Sequence, residues 1–343
     1  MASRKDREIL QELRQEKALS LRPQSFEEFV GQDQVVQNLK VFLKAAQMRG
    51  EALDHVLLSG PPGLGKTTLA QLLSSYQGGN FYQIAAPHIR RAGDLVKLLS
   101  LLEERDILFI DEIHRLSAPI EEILYMAMED REIDIPLGEG LATKVVKLNL
   151  PAFTLAGATT RPGALSNPLR ERFGIKLRLH FYNLEELVKI LERAAWRWQI
   201  SYDEGVLAYI AMRSRRTPRI ALALLRRIWD FALVDQQKKL SLQLTQKGFA
   251  QLGIDDLGLT ELDRELLRIL AEDYGGGPAG LKALASALGE DTETIENFME
   301  PYLVQLGLLK RTPRGRVITV KAQMHLKTNP TLDLFEEFTG GNL

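Results

Sequence analysis

Between Asp54 and His180 short apolar runs alternate with longer amphipathic stretches. His55–Ser59, Phe81–Ile84, Asp106–Ile110, Phe153–Ala158 and Ile175–Phe181 look like strands, and helical periodicity fills most of the gaps between them. This alternation predicts a wound α/β sheet. From Asn183 to Gly253 the pattern changes to consecutive helices, Leu184–Trp198, Asp203–Met212 and Pro218–Val234 among them, with no strand candidate of comparable quality. Beyond Gly253–Gly258 come three more helical segments, Glu261–Tyr274, Leu281–Leu288 and Thr292–Leu306, and then two short strands, Leu308–Lys310 and Arg316–Val320, around a Pro-Arg-Gly turn. Helices that end in a basic hairpin suggest a winged helix. The predicted organisation is three domains: an α/β domain over 1–182, a small helical domain over 183–253 and a winged-helix domain over 254–343.

A length of 343 residues agrees with that division, since single cores stop growing near about 250 to 300 residues. Lys plus Arg (44) and Asp plus Glu (45) nearly cancel, so any contact with a polyanion must come from local clusters. With 0 cysteines, disulfides, thiolate chemistry and zinc fingers are excluded, and any catalytic metal must use oxygen ligands or histidine. Residues Met1 to Lys17 mix acids and bases without the apolar stretch of an export signal, and no run approaches the roughly 18 apolar residues that a membrane span needs. The expectation is a cytoplasmic protein with no membrane partner.

The most specific chemical signal follows the strand His55–Ser59: Gly60-Pro61-Pro62-Gly63-Leu64-Gly65-Lys66-Thr67-Thr68, a complete P-loop in its strand-to-helix context. Gly60, Gly63 and Gly65 let the backbone N–H groups curl toward a phosphate, Lys66 reaches the β- and γ-oxygens of ATP, and the Thr67 hydroxyl can take Mg2+, with Thr68 beside it. About forty residues on, Ile107–Ile110 runs into Asp111-Glu112, two acids where a parallel strand opens onto the phosphate crevice. Asp111 is expected to hold Mg2+ through water, and Glu112 to act as the general base on the attacking water.

Two further rims of that crevice carry candidates. Phe153–Ala158 ends in Thr159-Thr160, where Thr159 is preferred for holding the lytic water or sensing the γ-phosphate, while a plain capping role for both threonines stays open. Asn167 to Gly174 contains Arg170 and Arg172, and an arginine here can reach the γ-phosphate of a neighbouring subunit; Arg172 is preferred, a surface ion pair being the alternative. Such a finger implies a homo-oligomer. In the helical domain Arg219, next to Pro218 at a helix start, can swing onto the nucleotide.

These motifs in this order resemble the AAA+ ATPases. The match narrows to the RuvB family through Leu21-Arg22-Pro23, Phe29-Val30-Gly31-Gln32, Ile110-Asp111-Glu112-Ile113-His114-Arg115-Leu116, Gly157 to Gly163, Gly276-Gly277-Pro278, Glu300-Pro301-Tyr302-Leu303 and Lys310 to Val317, a coverage from about Leu21 to Lys321. The resemblance implies an AAA+ P-loop core with a parallel sheet, a small helical lid and a C-terminal winged helix. It also implies a hexameric ring that hydrolyses ATP with Mg2+, translocates double-stranded DNA and migrates Holliday junctions with a RuvA-like partner, in recombination and repair. By the same resemblance Leu21, Arg22 and Tyr182 cradle the adenine, Glu129, Asp130 and Arg131 lie by the nucleotide, and Arg219 is a second sensor. Lys310, Arg311, Arg314 and Arg316 would meet DNA phosphates. A hairpin over Arg131–Leu150, with apolar Ile133, Ile135 and Leu137, resembles the element that docks RuvA. Some positions depart from the family pattern, notably Arg131, Arg216 and Leu222-Ala223. A clamp-loader-type switch and a DNA-binding adaptor with a vestigial site are the competing readings.

Overall fold

A computed structural model describes residues 21–137 and 144–328. Strands β1 (Val56–Ser59), β2 (Phe81–Ala85) and β3 (Ile107–Asp111) alternate with helices α1 (Asp33–Arg49), α2 (Lys66–Gln77), α3 (Ala92–Leu99) and α4 (Ala118–Glu129). A hairpin of β4 (Glu132–Leu137) and β5 (Lys144–Asn149) follows, then β6 (Thr154–Thr159), α5 (Asn167–Arg172) and β7 (Ile175–Arg178). Five of these strands make a parallel sheet in the order β2-β3-β6-β1-β7. Because all five run the same way, the ends of β1 and β3 open on one edge, on either side of the end of β6 at Thr159. The inner strands β1, β3 and β6 are buried almost throughout because both faces are covered, Leu57, Leu108, Ile110 and Leu155 packing with Leu95, Leu99, Ile120, Leu124 and Phe173, while β7 at the edge alternates buried and exposed residues.

The hairpin forms as expected, with Glu132 paired to Asn149 and Leu137 to Lys144. Its reading as a row of partner anchors needs correction at Ile133, which is 1% exposed and packs into the protein's own core with Met128, Leu150 and Phe153. Burying that side chain stabilises the base of the hairpin and withdraws it from any partner. The turn at Gly138 and the side chains of Ile135 and Leu137 lie outside the described residues.

Next come α6 (Leu184–Arg197), α7 (Val206–Met212) and α8 (Pro218–Val234). An unexpected two-residue ladder joins β8 (Ser201–Tyr202) to β9 (Lys239–Leu240). The capping box of Asn183 and Glu186 starts α6, and Leu187, Leu191, Leu224, Leu225 and Ile228 are buried between these helices. Contacts divide the chain between Leu240 and Ser241.

The second unit starts with α9 (Leu242–Gln251), α10 (Glu261–Glu272) and α11 (Leu281–Leu288). Its next helical stretch is broken into α12 (Thr292–Thr294), a π turn at Ile295–Met299 and α13 (Glu300–Gln305). Pro301 follows the π turn and has no N–H to return to the carbonyl four residues back, which accounts for the widened turn. The wing is β10 (Leu309–Thr312) against β11 (Gly315–Ile318), with a bridge from Arg316 to Ala279, and α14 (Val320–Thr328) closes the unit over Leu266, Leu267, Leu303 and Leu309.

Candidate active site and nucleic-acid interface

β1 delivers the P-loop, and two glycines make its path possible. A Cβ on Gly60 (φ 143°) would stand 2.7 Å from the Leu179 carbonyl oxygen, and Gly65 (φ 98°) caps α2 in a left-handed conformation against the Phe29 ring. Lys66 opens α2 and is only 7% exposed; its ammonium donates to the carbonyls of Gly60 (2.7 Å) and Pro61 (2.9 Å). Burial pushes its pKa down, against the opposing pull of Glu112 and Asp111. Thr67 and Thr68 follow on the first turn, half-buried.

The end of β3 places Asp111 and Glu112 facing that lysine. Glu112 sits in the left-handed region (φ 50°, ψ 46°), which costs a non-glycine residue about 1 kcal/mol. Its N–H donates to Asp111 Oδ1 (3.0 Å), while its carbonyl accepts from the Arg115 N–H (2.9 Å). Its carboxylate accepts from the Thr160 N–H (3.2 Å) and hydroxyl (2.9 Å) and lies 3.2 Å from His114 Nδ1. Burial raises the pKa of both acids. In Asp111 the charge of Glu112 adds to that rise, whereas in Glu112 the bonds from His114 and Thr160 outweigh burial and hold it below the usual carboxylate range. The two adjacent acids are thus shifted in opposite directions, Asp111 up and Glu112 down.

The threonine pair requires a change of emphasis. Thr159 is fully buried; its hydroxyl accepts from the Arg161 N–H (3.0 Å) and faces His114 Nδ1 (3.0 Å). Thr160, one residue on and half-buried, meets Glu112 directly, whereas Thr159 faces His114.

Beside the loop lies a largely apolar cavity lined by Leu21, Arg22, Phe29, Tyr182, Ile190, Pro218 and Leu222. Tyr182 is buried and donates to the Leu64 carbonyl (3.1 Å), and burial raises its pKa. Its N–H bonds the Arg216 carbonyl (3.0 Å), and the Arg219 N–H reaches the Gly63 carbonyl (3.4 Å), so α8 begins against the P-loop. Arg219 is close enough to favour the ionised form of Asp111.

Arg172 ends α5 elsewhere on the domain. It donates to Glu129 (2.8 Å) and to the Pro168 carbonyl (3.1 Å), and its guanidinium lies 4.5 Å from the centre of the Tyr125 ring. Glu129, Asp130 and Arg131, expected by the nucleotide, lie at and just past the end of α4, apart from this chain's P-loop cavity. Glu129 pairs with Arg172, Arg131 shares a cavity with Arg172, Asp54 and His55, and none of the three lines the Leu21–Tyr182 cavity. Arg170 is exposed and donates to Asn167 (3.0 Å).

On the wing, the four basic residues divide into two kinds. Arg316 is 17% exposed and grips the fully buried Glu300 with two bonds (2.8 and 3.1 Å), and Arg311 adds a third (2.7 Å). Both arginines thus serve Glu300, because a buried carboxylate demands cationic partners, and Arg311 stays half exposed while doing so. Lys310 and Arg314 are exposed, without an ion pair among the described residues.

A parallel sheet whose strand ends on either side of β6 present a P-loop lysine and an acid pair, with a helical lid touching the loop, defines a P-loop ATPase of the AAA+ class. Three family models match in succession: the Holliday junction DNA helicase RuvB P-loop domain over residues 21–179, the RuvB AAA lid domain over 182–255 and the RuvB C-terminal winged helix domain over 256–327. The chain belongs to the RuvB family. It is 54% identical over 309 residues to the Holliday junction branch migration complex subunit RuvB of Rickettsia africae, covering 90% of each chain. It is 52% identical over 316 residues to the protein of the same name from Paramagnetospirillum magneticum, covering 92% of this chain and 91% of that one. The solved Thermotoga maritima RuvB Holliday junction branch migration motor superimposes with a TM-score of 0.82 at 47% identity, over 90% of this chain and 98% of the other.

His114, Thr160 and Tyr125 are the site residues that sequence reasoning passed over. His114 stood two residues from the acid pair, and Thr160 next to the favoured threonine, so proximity was the available signal; Tyr125 left none.

Proposed function

We propose that this chain is an ATP-driven motor that moves the arms of Holliday junctions, acting with a RuvA-like junction-binding protein as one subunit of a closed ring, most simply a hexamer. The observation that carries the reading is the gathering of Lys66, Asp111, Glu112, Thr160 and Arg219 around one loop, with a second arginine, Arg172, held on a separate helix. In this reading Lys66 binds the β- and γ-phosphates, Leu21, Arg22 and Tyr182 enclose the base, and Glu112, kept ionised, takes a proton from the attacking water. Thr160 fixes the angle of that carboxylate. Arg219 reports the nucleotide to the lid, and Arg172 stabilises charge on a neighbour's γ-phosphate.

Magnesium fits the donors offered. Thr67 and Asp111 supply a hydroxyl and a carboxylate, and among the described residues no three His, Cys, Asp or Glu gather as a cage. Mg2+ favours such a setting, in which phosphates and water complete its octahedron, and when bound it neutralises phosphate charge. Lys310 and Arg314 would meet the duplex backbone without reading bases. No helix among the described residues is long and apolar enough to cross a membrane.

The test is DNA-stimulated ATP hydrolysis measured together with dissociation of a synthetic junction in the presence of RuvA. Turnover of ATP with no junction movement would reject the motor in favour of a loader-type switch, and absence of turnover would reject both.

A further inference from the structure

Arg172 can act on a neighbouring nucleotide only if its guanidinium is presented at a defined angle, and the residues beneath it form a half-buried polar network around the buried Glu121. Tyr125 and Glu121 stand one turn apart on α4, so they share a face. The Tyr125 hydroxyl donates to Glu121 Oε2 (2.8 Å) and lies 2.9 Å from Ser166 Oγ. Ser166 in turn donates to the same Glu121 oxygen (2.5 Å), and its oxygen accepts the Leu169 N–H, capping the very helix that ends in Arg172. Glu121 is buried, so two hydroxyl donors on one oxygen are what make its burial tolerable. Burial and this carboxylate also keep the phenol protonated, and therefore a donor.

We propose that Tyr125 is the positioning residue for Arg172: its ring face carries the guanidinium, and its hydroxyl, clamped between Glu121 and Ser166, sets the angle of that platform and ties α4 to the cap of α5. The ring attracts the cation through its quadrupole, and the contacts of Arg172 with Glu129 and Pro168 complete a three-sided holder. Among the described residues Arg172 Nε is buried without a hydrogen-bond partner, so the ring, not a bond at Nε, supports that side of the group. The proposal rests on the reading of Arg172 as a finger.

The test compares Tyr125→Leu and Tyr125→Phe, each alone and in an Arg172→Ala background, by ATP turnover on duplex DNA, with melting curves to check folding. Tyr125→Leu should lower kcat about tenfold and leave KM for ATP within about twofold, since a lost platform misplaces a group that acts on the transition state. Tyr125→Phe, which keeps the ring and loses the clamp, should lower kcat about threefold. In the Arg172→Ala background both effects should shrink below about twofold, because the residue they act through is gone. An undiminished loss in that background would mean that Tyr125 serves the fold alone and would overturn the proposal. Should Tyr125→Leu fail to fold, the near-isosteric Phe variant decides on the same criterion. Unchanged turnover in Arg172→Ala alone would instead remove the finger reading, a failure distinguishable from that of the platform.

Discussion

Replacing Arg316 with alanine should damage the winged-helix unit far more than it damages direct contact with DNA. Among the described residues the substitution removes two of the three charged bonds to Glu300, whose side chain is 0% exposed, and leaves Arg311 as its one cationic partner. Breaking a buried ion pair by deleting one member costs about 3 to 5 kcal/mol, and with Arg311 still in place the lower end, about 3 kcal/mol, applies. At about 4 to 8 °C per kcal/mol for a domain of this size, the transition of the unit should fall by about 12 to 24 °C. Calorimetry of the full chain reads this directly. Arg314→Ala, at an exposed position, should melt within about 2 °C of the parent. The same Arg314 variant should nevertheless lower the salt dependence of duplex binding by about one counterion. The reasoning fails if Arg316→Ala melts like the parent while weakening DNA binding, because Glu300 would then not depend on it.

Glu112→Gln should bind ATP and hydrolyse it at least about a hundredfold more slowly, as equilibrium binding and steady-state turnover together would reveal; normal turnover would strip Glu112 of its role. Thr160→Val should slow turnover by about tenfold through loss of one bond to an ionised acid. Thr159→Val, at a buried site facing His114, should chiefly cost about 1 to 3 kcal/mol of stability by denaturant titration, so a reversed ranking of the two in an ATPase assay would restore Thr159 to the rim. Arg172→Ala should keep nucleotide affinity and, mixed with the unaltered chain, depress activity by more than its share of the mixture; simple proportionality would argue against a site shared between subunits.

The inner strands β1, β3 and β6 could be read from the chain because burial on both faces makes them short apolar runs, their ends differing from expectation by one residue, whereas β7 at the sheet edge alternates buried and exposed positions and stops at Arg178, three residues short of the expected Phe181. Helices α8 and α11 match residue for residue, each with a sharp start, Pro218 in one case and Gly280 in the other. α7 starts at Val206, later than Asp203, because Gly205 (φ 82°) turns the chain first. The β8–β9 ladder is two residues long and carries too little side-chain pattern to register, and the π turn before Pro301 keeps ordinary helical periodicity on either side. Among site residues, the P-loop was legible because its parts are contiguous. The contacts of Glu112 with Thr160 and of His114 with Thr159 were not, since they join side chains that only the pairing of β3 with β6 brings together. The wing showed the sign of its charge but hid its purpose, because the acid that claims Arg316 lies sixteen residues earlier on another element.

The bond from the Arg219 N–H to the Gly63 carbonyl makes the phosphate loop a fulcrum for α8. That helix has 17 residues, about 25 Å of stiff rod, and a tilt of about 5° at its first turn swings the far end through about 2 Å. Leu233 and Val234 stand exposed at that far end, so a backbone shift too small to disturb the fold around the nucleotide is enlarged by leverage into a displacement of an apolar tip.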